Sequence, residues 1–256
     1  MPELTLTVDG YIVNVKDRVV LTGQFDATDP DLNQDLAQEL QDNNIALAQF
    51  FANAVDTRNR GLDVVADYNK RWNNSRDRFR ALFTLNWQKM EITSINIPAE
   101  LSGSEFLRNS FLSDREQAFI LASAPNIKYA LNLEYGTGKW IFGTRITHFG
   151  EVTLLGYGED GLGIDPQVPL DNGQGYVPDR YLYRGKTPVD IYLGYDLNKA
   201  LTLHAGADNV FNVHPDLGVA PGAKGWAFNN ETGGPWDAVQ MGGNGRRLFV
   251  RLSFNF

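Results

Sequence analysis

Short and long connections alternate strictly along this sequence, and that alternation limits the possible folds more than any single motif does. Nine stretches read as extended strands, because side-chain character changes on every second residue. Four of the connections are tight, near residues 16, 74, 137 and 198, and four are long, covering 26–49, 95–124, 156–186 and 212–245. Loops beyond about 12–15 residues are uncommon in compact soluble domains, and a sandwich mixes its loop lengths at both ends. A wall of strands crossing a membrane sorts them instead, with short turns on one side and long loops on the other.

The strands have the two faces such a wall requires. Leu62, Val64, Ala66 and Tyr68 stand against Asp63, Val65, Asp67 and Asn69. Phe79, Ala81, Phe83, Leu85 and Trp87 oppose Arg80, Thr84, Asn86 and Gln88. Ile127 to Tyr135, Trp140 to Ile146, Val189 to Leu197 and Leu201 to Ala207 repeat the pattern. The last strand sets Leu248, Val250, Leu252, Phe254 and Phe256 against Arg247, Phe249, Arg251, Ser253 and Asn255. Chain ends of soluble domains are usually frayed and polar, so an apolar face running to a terminal aromatic suits a wall between lipid and a wet lumen. Aromatics at strand ends (Tyr68, Trp87, Tyr135, Trp140, Tyr195, Phe256) fit interfacial girdles.

Near the beginning, Leu4, Leu6 and Val8 are out of phase with Tyr11, Val13 and Val15, which predicts a bulge near Asp9-Gly10. Lys16-Asp17 predicts a tight turn, with a return strand from Val19 to about Phe25. Leu32, Leu36 and Leu40 recur every fourth residue after Asp29-Pro30 and predict a short helix inside the first long loop. Asp114-Arg115-Glu116-Gln117 predicts a helical turn in the second. The fold expected is all-β: an antiparallel transmembrane β-barrel segment of about nine strands, an incomplete barrel, with long extracellular loops and short periplasmic turns.

Composition removes other classes. No run approaches the roughly 18 apolar residues of a spanning helix, while a barrel strand needs only half its residues to be apolar. There is no cysteine, hence no disulfide framework or thiolate metal site. A net charge of −8 argues against a nucleic-acid partner. Met1-Pro2-Glu3-Leu4 opens directly into strand-like sequence without a basic, then apolar, leader; read literally it carries no export signal, and an outer-membrane protein with this start is expected to be a piece of one.

The segments VDGYIVNVKDRVVLTG, FFANAVDTRNRGLDVVADY and PNIKYALNLEYGTGKWIFGTRITHFGEV, then GADNVFN and the closing RRLFVRLSFNF, resemble in order and spacing the C-terminal half of the barrel of TonB-dependent outer-membrane receptors. Asn209 to Asn212 matches the family's Asn-Leu-Phe-Asp-like element, with Val and Asn as departures, and Arg251 stands where terminal strands of such barrels favour glycine. The resemblance implies residues 1–256 as one barrel domain whose plug, TonB box and first strands are absent. It implies localisation in the bacterial outer membrane and active uptake of a large scarce solute: a ferric siderophore, cobalamin or an oligosaccharide. It also implies as partners the outer-membrane lipid, an inner-membrane energy-coupling protein acting through the missing plug, and the assembly machinery that reads a C-terminus such as Phe254 and Phe256.

Catalytic signals are weak. Gly156 to Gly161 matches G-x-G-x-x-G, but Gly163, Pro166 and Pro169 follow where a dinucleotide site needs a helix. His148, His204 and His214 belong to no zinc spacing or nucleophile elbow. His204 alternates with the apolar face and is expected in the lumen, while His148 and His214 are expected on loop surfaces. No enzyme, cofactor or metal is expected. Inward charges such as Asp63, Asp67, Arg80, Glu134, Arg145 and Arg247 are expected to line the wall and bond a plug. Tyr157, Tyr176, Tyr181, Tyr183, Trp226 and Trp236, with Arg180 and Arg184, are candidate ligand residues of the long loops, since aromatics beside polar groups stack on sugars and planar chelates. The same rings can equally pack the loops against one another. Two other functions compete: a passive porin-like barrel, and a soluble carbohydrate-binding sandwich.

Overall fold

The computed structural model describes residues 3–30, 32–122, 124–226 and 240–254. In chain order the strands are β1 (Leu4–Leu21), β2 (Phe25–Asp26), β3 (Leu47–Ala48), β4 (Phe51–Trp72), β5 (Asp77–Ile95), β6 (Ile127–Thr137) and β7 (Trp140–Phe149). They continue with β8 (Val152–Leu155), β9 (Gln167–Pro169), β10 (Tyr176–Pro178), β11 (Arg180–Tyr183), β12 (Val189–Asp196), β13 (Leu201–Asp208) and β14 (Arg247–Phe254). Three α-helices, α1 (Gln34–Asp42), α2 (Glu105–Phe111) and α3 (Asp114–Leu121), lie in the first two long connections.

Eight strands form one antiparallel sheet in the order β1-β4-β5-β6-β7-β12-β13-β14. Its first and last strands each have one partner only, so within the described residues the sheet is open at both edges. The short connections β4–β5, β6–β7 and β12–β13 share one end of it, and β1 starts and β14 ends there too, with Leu4 opposite Tyr68 and Phe254 opposite Leu201. The four long connections share the other end. At the first tight turn Asn73, Asn74 and Ser75 all take left-handed backbone angles, which asparagine tolerates better than most residues.

Among the described residues the large sheet has eight strands, where nine were expected, because Lys16-Asp17 is not a turn. β1 runs straight through it as an 18-residue strand with a register irregularity between Val15 and Val19. Asp17 takes φ 52°, and its amide donates to the Asp56 carboxylate at 2.9 Å. β4, at 22 residues, is long enough to pair both halves, so Val19–Leu21 dock on Phe51–Asn53 and do not fold back. The bulge expected at Asp9-Gly10 is absent: pairing is continuous from Leu4↔Tyr68 to Val15↔Thr57. Tyr11 belongs to the polar face, where its ring covers the bare backbone of its partner Gly61 and its hydroxyl accepts from Asn86 at 3.2 Å. A Cβ at Gly143 would likewise meet the ring of its partner Tyr192.

The register assigns every side chain to one of two faces. On one stand Leu6 and Val8, Leu62 to Tyr68, Phe79 to Trp87, Tyr129 to Tyr135, Trp140 to Ile146, Ile191 to Tyr195, and Leu248 to Phe254, on alternate residues. These side chains are uncovered; Leu6, Leu248 and Val250 are 63%, 76% and 76% exposed. The strand faces are therefore not stacked sheet against sheet, which removes the soluble-sandwich alternative. At the short-turn end the apolar face carries a continuous aromatic row. Tyr68 lies 6.2 Å from Phe79, Trp72 6.1 Å from Tyr135, Phe142 within 6.5 Å of Tyr135 and Trp140, and Tyr195 4.6 Å from Trp140. Trp87 ends the apolar run of β5 on the loop side. From Phe79 to Trp87 is eight residues, roughly 26 Å along the strand, a fit to the roughly 25 Å apolar band of a membrane barrel once tilt is allowed for. Phe256, which would extend this row, lies outside the described residues.

The opposite face holds the charges. Arg80 pairs with Asp67 at 2.7 Å, Arg247 with Asp208 at 2.6 Å and Arg78 with Glu134 at 3.3 Å. Asn86 donates to Asp63 at 2.6 Å, Arg145 to Asn132 at 2.7 Å, and the Tyr192 hydroxyl to Glu134 at 2.7 Å. Pairs this exposed are screened by water and contribute little, so the backbone ladder, and not these bridges, holds the strands. His204 lies on this face over Gly194, as expected. His148 does not lie on a loop surface: it is the next-to-last residue of β7, on the apolar face, its ring stacked 4.7 Å from that of Tyr129.

Candidate ligand-binding surface

The long connections fold into a cap with two apolar cores. In the first, Val20, Ala54 and Val55 at the tops of β1 and β4 meet Phe25, Leu32 and Leu40 from the first loop and Leu107, Phe111 and Leu112 from the second. The Leu periodicity forms α1 as expected; the Asn33 side chain caps it by accepting from the amides of Asp35 and Leu36. In the second core, Val152 and Leu154 of β8, Val168 of β9, and Tyr181 and Tyr183 of β11 enclose Ala220 and Ala223. Each fully buried Leu or Phe is worth roughly 1.5–3 kcal/mol, enough to give loops of this length a defined shape.

Polar clasps join the loops above these cores. The buried Gln240 amide nitrogen donates to the carbonyls of Gly150 (2.6 Å) and Tyr183 (2.8 Å). Asp171 accepts from the amides of Gly225 and Lys224, both at 2.9 Å, and those two bonds hold its carboxyl below the ordinary 3.8. Burial works to raise the Asp216 carboxyl, but hydrogen bonds from the Lys186 ammonium (2.6 Å) and the Arg184 amide (2.8 Å) outweigh it and leave the pKa lowered. A depressed folded-state pKa stabilises fully above the ordinary carboxylate value and loses that effect as pH falls through the folded value. Amide-exchange protection at Lys224 and Gly225 is therefore expected to be constant from pH 7 to about pH 4, then to fall as Asp171 protonates. Asp171→Ala should remove the protection severalfold at neutral pH. Protection unchanged by that substitution would show that Asp171 holds nothing in place.

The candidate ligand residues do not converge on one point. Tyr181 and Tyr183 are interior, 4% and 0% exposed, and their side chains belong to the second core. Arg180 and Leu182 alternate with them and face outward. Tyr176 is 58% exposed on the β9–β10 hairpin, Trp226 is 43% exposed beside Asp171, and Arg184 lies on the surface. Trp236 lies outside the described residues. The G-x-G-x-x-G stretch leaves β8 as turns, with Gly158 and Gly161 at positive φ, and the next element is β9 rather than a helix.

Two clefts do form, one on each side of α3. The first, about 490 Å³, is lined by Arg18, Gln49, Arg115, Glu116, Phe119 and Tyr157. The second, about 460 Å³, is lined by Leu121, Ala122, Asn126, Glu151, Thr153 and Arg180. Arg115 stands between the Phe119 and Tyr157 rings, 4.5 and 3.8 Å from their centroids, and bonds Glu116 at 3.2 Å. It is 6% exposed, a burial guanidinium accepts when flat against rings and paired. Sequence patterning brought out Tyr157 and Arg180 but missed Arg18, Arg115 and Phe119. Arg115 reads there as one charge in an ordinary polar helix start, and no local pattern reveals that Tyr157, far along the chain, covers it.

Comparison with known proteins fits this geometry. Residues 2–210 match the family model described as TonB dependent receptor-like, beta-barrel. No curated protein sequence matches the chain. Among solved structures, the FrpB iron transporter from Neisseria meningitidis aligns over 100% of this chain and 30% of its own, with TM-score 0.57 and 13% identity. The outer membrane transporter YddB from Escherichia coli aligns over 99% and 30%, with 0.55 and 10%. The copper transporter OprC aligns over 100% and 29%, with 0.51 and 16%. The chain thus spans under a third of the length of the structures it matches, and at these identities the likeness is one of fold.

Proposed function

This chain belongs to the TonB-dependent receptor-like β-barrel family, and from that premise we propose that it is the C-terminal wall of an outer-membrane receptor for a large scarce solute. The observation that carries the proposal is the sheet itself. Its apolar face carries an aromatic row at the short-turn end and Trp87 toward the loop end, its polar face is lined with paired charges, and a packed cap stands over the loop end. In this reading the apolar face meets the outer-membrane lipid, and the polar face meets a plug carried by the rest of the receptor. The open edges of β1 and β14 pair with the remaining strands. The clefts beside α3 contribute cationic and aromatic surface to a binding site completed elsewhere, with Tyr157 and Arg180 as this chain's contributions. Solved relatives in fold include proteins named as iron and copper transporters; a ferric siderophore, cobalamin or an oligosaccharide remain the solutes proposed here. An inner-membrane coupling protein would supply the energy, and the assembly machinery would read the C-terminal strand.

Uptake separates this reading from the porin-like alternative. Cells producing the full-length receptor should accumulate radiolabelled ferric siderophore, cobalamin or oligosaccharide, and a protonophore should abolish the accumulation of whichever is the cargo. Passive entry, proportional to the outside concentration and indifferent to the protonophore, would favour a porin.

A further inference from the structure

The apolar face does not stay apolar to the top of the sheet. Two residues beyond Trp87 on β5 comes Lys89, and directly opposite it on β4 is Arg60; Arg58 and Glu91 form the next pair, and Asn14 of β1 lies opposite Arg58. The two-residue step is roughly 7 Å along the strand, the depth at which hydrocarbon gives way to headgroups. All of these side chains keep the parity of Leu62, Leu85 and Trp87, so they point away from the lumen. Arg60, at 48% side-chain exposure, and Lys89, at 59%, share a single carboxylate: Glu91 accepts from Arg60 at 2.8 Å and meets Lys89 at 3.2 Å. Arg58 donates to the neutral Asn14 amide oxygen at 3.0 Å. On these two rungs three cations thus face one carboxylate; the next carboxylate along β4, Asp56, accepts from the Asp17 amide.

This is not the margin of a generally positive surface. The chain as a whole carries −8, and the adjacent first loop holds Asp26, Asp29, Asp31, Asp35, Glu39 and Asp42 with neither lysine nor arginine. A basic cluster on a lipid-facing wall, at the level of the headgroups, matches one kind of partner by charge and position. We propose that Arg58, Arg60 and Lys89 bind the phosphate of a phosphorylated glycolipid in the outer leaflet, whose acyl chains lie along the apolar face below Trp87. Arginines present forked donors to phosphate oxygens, and the strand pairing sets the three cations within reach of one group, since diagonal neighbours on a sheet are about 7–8 Å apart. Glu91 holds two of the cations ready and competes with the lipid for them. The proposal rests on the apolar face meeting the membrane.

Native mass spectrometry of the full-length receptor in detergent, titrated with diphosphorylated lipid A, dephosphorylated lipid A or inorganic phosphate, tests it. The wild type should prefer the diphosphorylated form by at least about tenfold. Near a charged membrane surface each lost cation should weaken binding about fivefold, so the triple variant R58Q/R60Q/K89Q should lose the preference altogether. Glu91→Gln should bind about threefold or more tighter, by removing the competing carboxylate, and a gain of this kind cannot come from misfolding. Equal binding of diphosphorylated lipid A to the wild type and all variants overturns the proposal, as does full competition by inorganic phosphate, which would mark a soluble-anion site. Wild-type solute uptake and intact barrel migration of the triple variant alongside lost lipid binding would separate this site from the receptor function itself.

Discussion

Refolded into detergent by itself, the 256-residue chain will not give the heat-modifiable migration of a closed barrel; it will aggregate or run as an unfolded polypeptide. Among the described residues β1 and β14 each have one neighbour in the sheet. An edge strand leaves every second residue with its amide and carbonyl unpaired, so about eight embedded residues per edge expose roughly eight such groups. In hydrocarbon each unsatisfied group costs several kcal/mol, and the two edges together cost tens of kcal/mol. A whole domain is stable by only about 5–15 kcal/mol. No set of side-chain contacts offsets a deficit of that size. Co-expression with the preceding strands of the receptor should restore the compact, heat-sensitive band. A heat-sensitive band from the 256 residues alone would mean that β1 and β14 can close on each other, and the reading of the chain as part of a larger wall would fail.

The sequence revealed the wall better than the cap, for a physical reason. A strand bounded by lipid and water repeats its environment every two residues, so each strand carries its own record: Phe79 to Trp87 against Arg80 to Gln88 is readable without knowing what lies beside it. Turns are local too, and Asn73-Asn74-Ser75 supplies its own left-handed residues. β1 misled because its loop-side half rises out of the membrane. There Tyr11, Val13 and Val15 face inward as apolar residues near the cap, and their phase imitates a bulge that pairing excludes. In the cap, the alternation Arg180, Tyr181, Leu182, Tyr183 was visible, but which pair turned inward depended on Val152, Val168 and Ala220, remote in sequence. Arg115 between Phe119 and Tyr157 is the same case carried further.

Arginine placed along β6 of the full-length receptor should report where the membrane lies. Leu131 is midway between Ile127 and Tyr135 on the apolar face, and Leu131→Arg should cost about 2–4 kcal/mol, the penalty for arginine at the bilayer midplane. Ala130→Arg, one residue away, enters the polar face between Thr84 and Thr147 and should be close to neutral. At Tyr135, within the aromatic row, the penalty should shrink to about 0–1 kcal/mol. Equilibrium unfolding by guanidinium in lipid vesicles measures all three. A sheet buried in protein would penalise Leu131→Arg and Tyr135→Arg alike, because burial there has no depth profile; a sheet in water would penalise neither. Only lipid gives a cost that peaks in the middle, alternates with residue parity and vanishes near the ends. The protein already supplies the end point of that profile, since Arg60 and Lys89 occupy the same face two residues past Leu62 and Trp87. A charge tolerated there and excluded at Leu131 places the upper hydrocarbon boundary between Trp87 and Lys89.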